Sequence, residues 1–82
     1  MKNNRIALLG VPLKKLRNDM NLTQWGLADR CSIDPSYISL LENDMKIPKL
    51  NTLFIIADGL GIKASELVRA IEEYMEMNDI LI

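Results

Sequence analysis

Between Asp34 and Asn43 the chain sets out three hydroxyls, on Ser36, Tyr37 and Ser39, and its only charge there is Glu42. Thr23 and Gln24 stand about a dozen residues upstream. These side chains donate and accept hydrogen bonds while staying neutral at physiological pH. Such groups suit the recognition of polar edges on a partner. They do not suit acid–base or metal chemistry, for which the chain is poorly supplied: it has no histidine and one cysteine, Cys31. No phosphate-cradling loop and no paired-carboxylate cleft is legible, so an enzyme is the poorest reading. No metal or cofactor is expected.

Helices must position these groups. The spacing of apolar residues is of the 3.6 type, and β-branched runs are few, which predicts an all-α protein with five helices. The first is expected to begin near Pro12, with Leu13, Leu16 and Met20 as its stripe and Ile6, Leu8 and Leu9 packing ahead of it. The second takes Thr23 as N-cap and runs to about Arg30, turning Leu27, Ala28 and Cys31 inward. The third starts with Asp34 as N-cap and Pro35 in the first turn, with Ile38 and Leu41 inward. A fourth is expected over Asn51–Gly59, with Gly59 and Gly61 marking its end, and a fifth over Ala64–Met77.

Two short helices joined by about three residues form a helix-turn-helix. The close crossing needs a small contact residue, which Ala28 supplies. The turn needs an unusual backbone conformation, and Ser32 stands where glycine is common. Anchoring by Ile33, Ile38 and Leu41 leaves Pro35, Ser36, Tyr37, Ser39 and Leu40 on or near the opposite face. Hydroxyls and a phenol on such a face match the donor and acceptor patterns of base edges in a DNA major groove. The helix starts at Thr23–Gln24 and Asn51–Thr52 offer N–H groups to phosphate.

The stretches "LTQ" and "LA" within 22–28, "YISLLEN" at 37–43, Pro48 and "ADGLGI" at 57–62, with Arg17 ahead of them, resemble the Cro/repressor (Xre-type) DNA-binding family. The resemblance covers about residues 11–67 and within that family is greatest to the controller proteins of restriction–modification systems. It implies a lambda-repressor-like fold in one domain, 1–82, that binds operator DNA. It implies an internal ion pair between Arg17 and Glu42, and a Gln24 that contacts phosphate or braces the reading helix. Ser36, Tyr37 and Ser39 would face the major groove, with Thr23, Pro35 and Thr52 at the interface and Asn43, Lys46 and Lys49 on the DNA backbone. The chain departs from the family pattern at Trp25, Gly26, Pro35, Leu40 and Asp44. Trp25 is expected either to lie against the DNA backbone or to cover Met20 and Leu22, with the covering placement favoured. Asp44 replaces a glycine and tolerates the left-handed region better than most residues.

Net charge is −1, but unevenly placed. Residues 1–49 carry eight Lys/Arg and five Asp/Glu, a balance of +3; residues 50–82 carry two and six, a balance of −4. A basic front and an acidic back would orient the molecule on a polyanion. The stripe Leu67, Val68, Ile71, Tyr74 and Met75 on the fifth helix is expected to form a homodimer interface, with Glu72, Glu73, Glu76 and Asp79 turned away from DNA. Two-fold pairing would set two reading helices roughly 34 Å apart on a near-palindromic site. RNA polymerase is a further candidate partner. The lone cysteine and the shortness of the apolar run in "MKNNRIALLG" point to the cytoplasm and away from a membrane. The rival readings are a phage-type repressor, an antitoxin, or a protein–protein adaptor of this fold that binds no DNA.

Overall fold

The computed structural model describes residues 7–80. They form five helices and no strand: α1 (Gly10–Asp19), α2 (Gln24–Cys31), α3 (Pro35–Glu42), α4 (Leu50–Leu60) and α5 (Ala64–Met77). The expectation of an all-α, five-helix fold with α2 and α3 as a helix-turn-helix is met. Ile6, Leu81 and Ile82 lie outside the described residues.

The fully buried side chains come from every helix: Leu13, Leu27, Ile38, Leu41, Ile56, Leu60 and Leu67. Leu9 is buried with them, and Leu8 packs at the edge. Two expected caps are in place. Thr23 Oγ1 accepts from the Gly26 N–H at 2.9 Å, and Asp34 Oδ1 accepts from the Ser36 N–H at 2.9 Å. Gly26 therefore lies in the first turn, where its N–H is the one the cap satisfies. Ser32 takes the left-handed turn conformation at φ 54°, and Ile33 N–H closes the end of α2 on Ala28 O at 2.9 Å. Asp44 is left-handed as expected, also at φ 54°.

Three boundary expectations change. The first helix starts at Gly10, two residues before Pro12, because a carboxylate distant in sequence caps it: Gly10 N–H donates to Asp44 Oδ1 at 2.9 Å. Pro12 falls in the first turn, where a missing N–H costs nothing. Met20 follows the helix and is 44 % exposed, so it is not part of the stripe. The fourth helix runs one residue further at each end than Asn51–Gly59. Gly61, left-handed at φ 75°, ends it.

Gly59 does not end α4; it is buried inside it, where α4 crosses α2. A Cβ at Gly59 would collide with Cys31 Sγ and stand 3.3 Å from Leu27 Cδ1. Glycine here lets two helix backbones approach. The fifth helix begins with Lys63 N–H donating to Glu66 Oε1 at 2.7 Å, and its inner face completes the core through Leu67, Ile71 and Met75.

Gly59→Ala should thus lower stability in urea or thermal melts. Alanine would favour the helix by about 1 kcal/mol, but overpacking against Cys31 and Leu27 costs roughly 1–3 kcal/mol. Adding Cys31→Ala should recover part of the loss. Unchanged stability in Gly59→Ala would mean that α2 and α4 separate freely.

Candidate nucleic-acid interface

The site rests on a buried charge cluster behind the reading helix. Arg17 and Glu42 bridge α1 and α3, with side chains only 9 % and 3 % exposed. The guanidinium grips the carboxylate with both arms: Nε donates to Glu42 Oε2 at 2.5 Å and Nη2 to Oε1 at 2.9 Å. Its third nitrogen makes two further bonds. Nη1 donates to the Leu22 carbonyl at 2.8 Å and to Asn18 Oδ1 at 3.2 Å. Gln24 Nε2 then donates to Glu42 Oε1 at 3.0 Å. One cluster thereby joins α1, the entry to α2, and the end of α3. Of the two roles expected for Gln24, the structure displays bracing.

The electrostatics follow. Burial works to raise the Glu42 pKa, but the hydrogen bonds from Arg17 and Gln24 outweigh it and hold the carboxyl below its ordinary range. The same carboxylate pushes the Arg17 pKa up, against the effect of its own burial. At the front of α3, the Ser36 backbone N–H and then its hydroxyl hold Asp34 low. Cys31 is a free buried thiol whose pKa burial raises, as suits an inert core group.

On the outer side, Gln24, Trp25, Asp34, Pro35, Ser36 and Ser39 line one cleft of about 530 Å³ between the starts of α2 and α3. The structure so brings together four of the expected site residues: Gln24, Pro35, Ser36 and Ser39. Thr23 is exposed beside them. Tyr37 is half-buried and packs against the edge of the core. Asn43 is exposed and its amide donates to Ser39 O at 2.8 Å, finishing α3. Lys46 and Lys49 are exposed on the loop after α3, and Thr52 is half-buried in the first turn of α4. Lys49 is the N-cap of α4 and makes no side-chain capping bond.

Two residues stand differently from their favoured expectations. Trp25 is 75 % exposed and lines the cleft, so the favoured placement over Met20 and Leu22 is not met. Asp44 ties the loop after α3 to α1. Only its tolerance of positive φ was legible, since its partner Gly10 is 34 residues away. The five-residue dimer stripe also divides: Leu67, Ile71 and Met75 fill the chain's own core and are not free for a partner, whereas Val68 is 41 % exposed and Tyr74 half-buried. Among the described residues no cluster of His, Cys, Asp or Glu could hold a metal.

A braced short helix that turns neutral hydroxyls outward, fed by a left-handed turn from a capped partner helix, defines a helix-turn-helix DNA-binding module. The comparisons agree. The helix-turn-helix family model matches residues 13–67, and the chain belongs to that family of DNA-binding transcriptional regulators. It is similar to the control protein C.MunI of Mycoplasma sp., with 40 % identity over 65 residues, 78 % of this chain and 88 % of that one. It is also similar to the immunity repressor protein of Bacillus phage phi105, with 37 % identity over 60 residues, 73 % of this chain. The match spans only 42 % of that repressor's length. Among solved structures, the restriction-modification controller protein C.AhdI from Aeromonas hydrophila superposes with a TM-score of 0.71 at 30 % identity, over 74 % of this chain and 92 % of that one. No helix among the described residues is long and apolar enough to cross a membrane.

Arg17→Ala strands a buried carboxylate and should cost about 3 kcal/mol, seen as a lower melting temperature. Because the folded-state pKa of Glu42 is depressed, its contribution is present above the ordinary carboxylate range and lost as pH falls through the folded value. Glu42→Gln should therefore be less stable than the parent at neutral pH, and its melting temperature should fall less on acidification. Identical acid dependence in parent and variant would contradict the assignment.

Proposed function

We propose that the protein is a homodimeric transcriptional regulator that binds near-palindromic operator DNA and serves as the controller of a restriction–modification system. The observation that carries the DNA-reading part is the braced α3, whose Ser36 and Ser39 face a common cleft with Gln24. Ser36, Ser39 and the rim of Tyr37 meet base edges in the major groove. Thr23, Lys46, Lys49 and Thr52, with the start of α4, hold the flanking phosphates. No guanidinium stands on α3, so guanine is not gripped by a bidentate fork, and DNA shape contributes to selectivity.

Support for the controller role is the likeness to C.MunI and C.AhdI, both named as control or controller proteins. In that role the regulator occupies its own promoter and that of the endonuclease gene, alone or by contacting RNA polymerase, in the cytoplasm. The likeness to a phage immunity repressor supports a second reading with the same DNA chemistry and a different set of target genes.

Dimerisation is supported by apolar surface that the subunit leaves open. Leu50 and Phe54 lie one turn apart on α4 and are 70 % and 57 % exposed; Ile55 beside them and Val68 on α5 are each 41 % exposed. Such side chains are more than a monomer of this size usually shows water. The acidic Glu72, Glu73, Glu76 and Asp79 are exposed on and just after α5, on the acidic half of the chain.

Sedimentation tests the assembly. The parent should run as a dimer at micromolar concentration, and Phe54→Asp should run as a folded monomer that binds DNA at least tenfold more weakly, roughly 1.4 kcal/mol. A monomeric parent would refute the dimer, and a dimeric Phe54→Asp would refute this face as its contact.

A further inference from the structure

Trp25 is the only tryptophan in the chain and sits beside Gln24 at the start of α2, three quarters exposed. Burying a large aromatic is worth about 2 kcal/mol or more, which the isolated subunit forgoes here. The ring is not on the α4 and α5 surface assigned to dimerisation. It walls the cleft whose other lining residues are Gln24, Asp34, Pro35, Ser36 and Ser39. Whatever comes up to the hydroxyl face of α3 from outside reaches the indole as well.

We propose that Trp25 is a backbone-contact residue of the DNA interface. Its ring lies against a deoxyribose of the strand bordering the groove that α3 enters, and its Nε1–H donates to a neighbouring phosphate oxygen. The inference rests on the DNA-binding reading above and adds to it a contact of different chemistry. The indole N–H only donates, and a phosphate oxygen only accepts. The flat ring covers the apolar side of a sugar. No Lys or Arg lines this cleft, and its single charged residue, Asp34, is acidic. At this edge of the interface the chain therefore has no cation to offer a polyanion, and Trp25 supplies the attractive contact. A neutral donor displaces no condensed counterion, so this part of the affinity does not weaken with salt.

Because Trp25 is alone, intrinsic fluorescence reports on it directly. The full chain is titrated with a random-sequence DNA duplex at low salt, with binding followed independently by gel mobility shift. Emission should change as complex forms, and acrylamide should quench bound Trp25 less than free Trp25. Trp25→Ala should bind about tenfold more weakly with an unchanged salt slope and an unchanged melting temperature, since the ring packs on little within the subunit. Trp25→Phe, which keeps a ring and loses the donor, should fall between. If the duplex is shifted while emission and acrylamide access stay as in the free protein, or if Trp25→Ala binds as the parent does, the proposal is wrong and the DNA-binding reading survives. If no duplex is shifted, that reading falls and the proposal with it.

Discussion

The bidentate ion pair between Arg17 and Glu42 is the constraint on which the reading surface depends. A buried pair of charges gives up hydration, and an apolar pair of similar volume is often as stable. What the guanidinium fork adds is direction. It makes four hydrogen bonds, two to Glu42, one to the Leu22 carbonyl and one to Asn18. The Leu22 carbonyl leads directly into Thr23, the cap of α2. Glu42 is the last residue of α3 and also receives Gln24. The end of one helix, the start of another and the last turn of the domain's first helix are thus held by one carboxylate. Asp44 adds a second tie two residues on, between the loop after α3 and the first N–H of α1.

That arrangement separates support from recognition. The paired charge is buried behind α3, while the cleft in front carries hydroxyls, a proline, an amide, an indole and one carboxylate, the Asp34 cap. Long-range attraction to a polyanion must then come from elsewhere, from the lysines at 46 and 49 and from the excess of basic residues in the first 49 positions. The acidic α5 opposes any approach from the other side. A protein of near-zero net charge can still be oriented on DNA when its charge is divided in this way.

Much of this was legible from the residues because the signals are local. Caps at Thr23 and Asp34, the proline after Asp34, and the periodic apolar positions each act within one turn of helix, so α2, α3 and α5 were bounded well. The ion pair between residues 17 and 42 was visible only through family resemblance. The features that escaped are all contacts between distant residues. Gly10 starts α1 because Asp44 reaches it, which no pattern near Pro12 reveals. Gly59 resembles a helix stop until Cys31 is found against it. The stripe on α5 was seen as one surface, yet Leu67, Ile71 and Met75 repeat every four residues and turn into the subunit, leaving Val68 outside. Trp25 could be placed near Met20 and Leu22 in sequence but not oriented.

The most direct measurement is a selection of binding sites from a random duplex library with the full chain, at low and at physiological salt. The expected result is an enriched two-fold-symmetric motif with half-sites about ten base pairs apart, bound more weakly as salt rises. No enriched sequence at either salt would contradict the assignment of α3 as a reading helix.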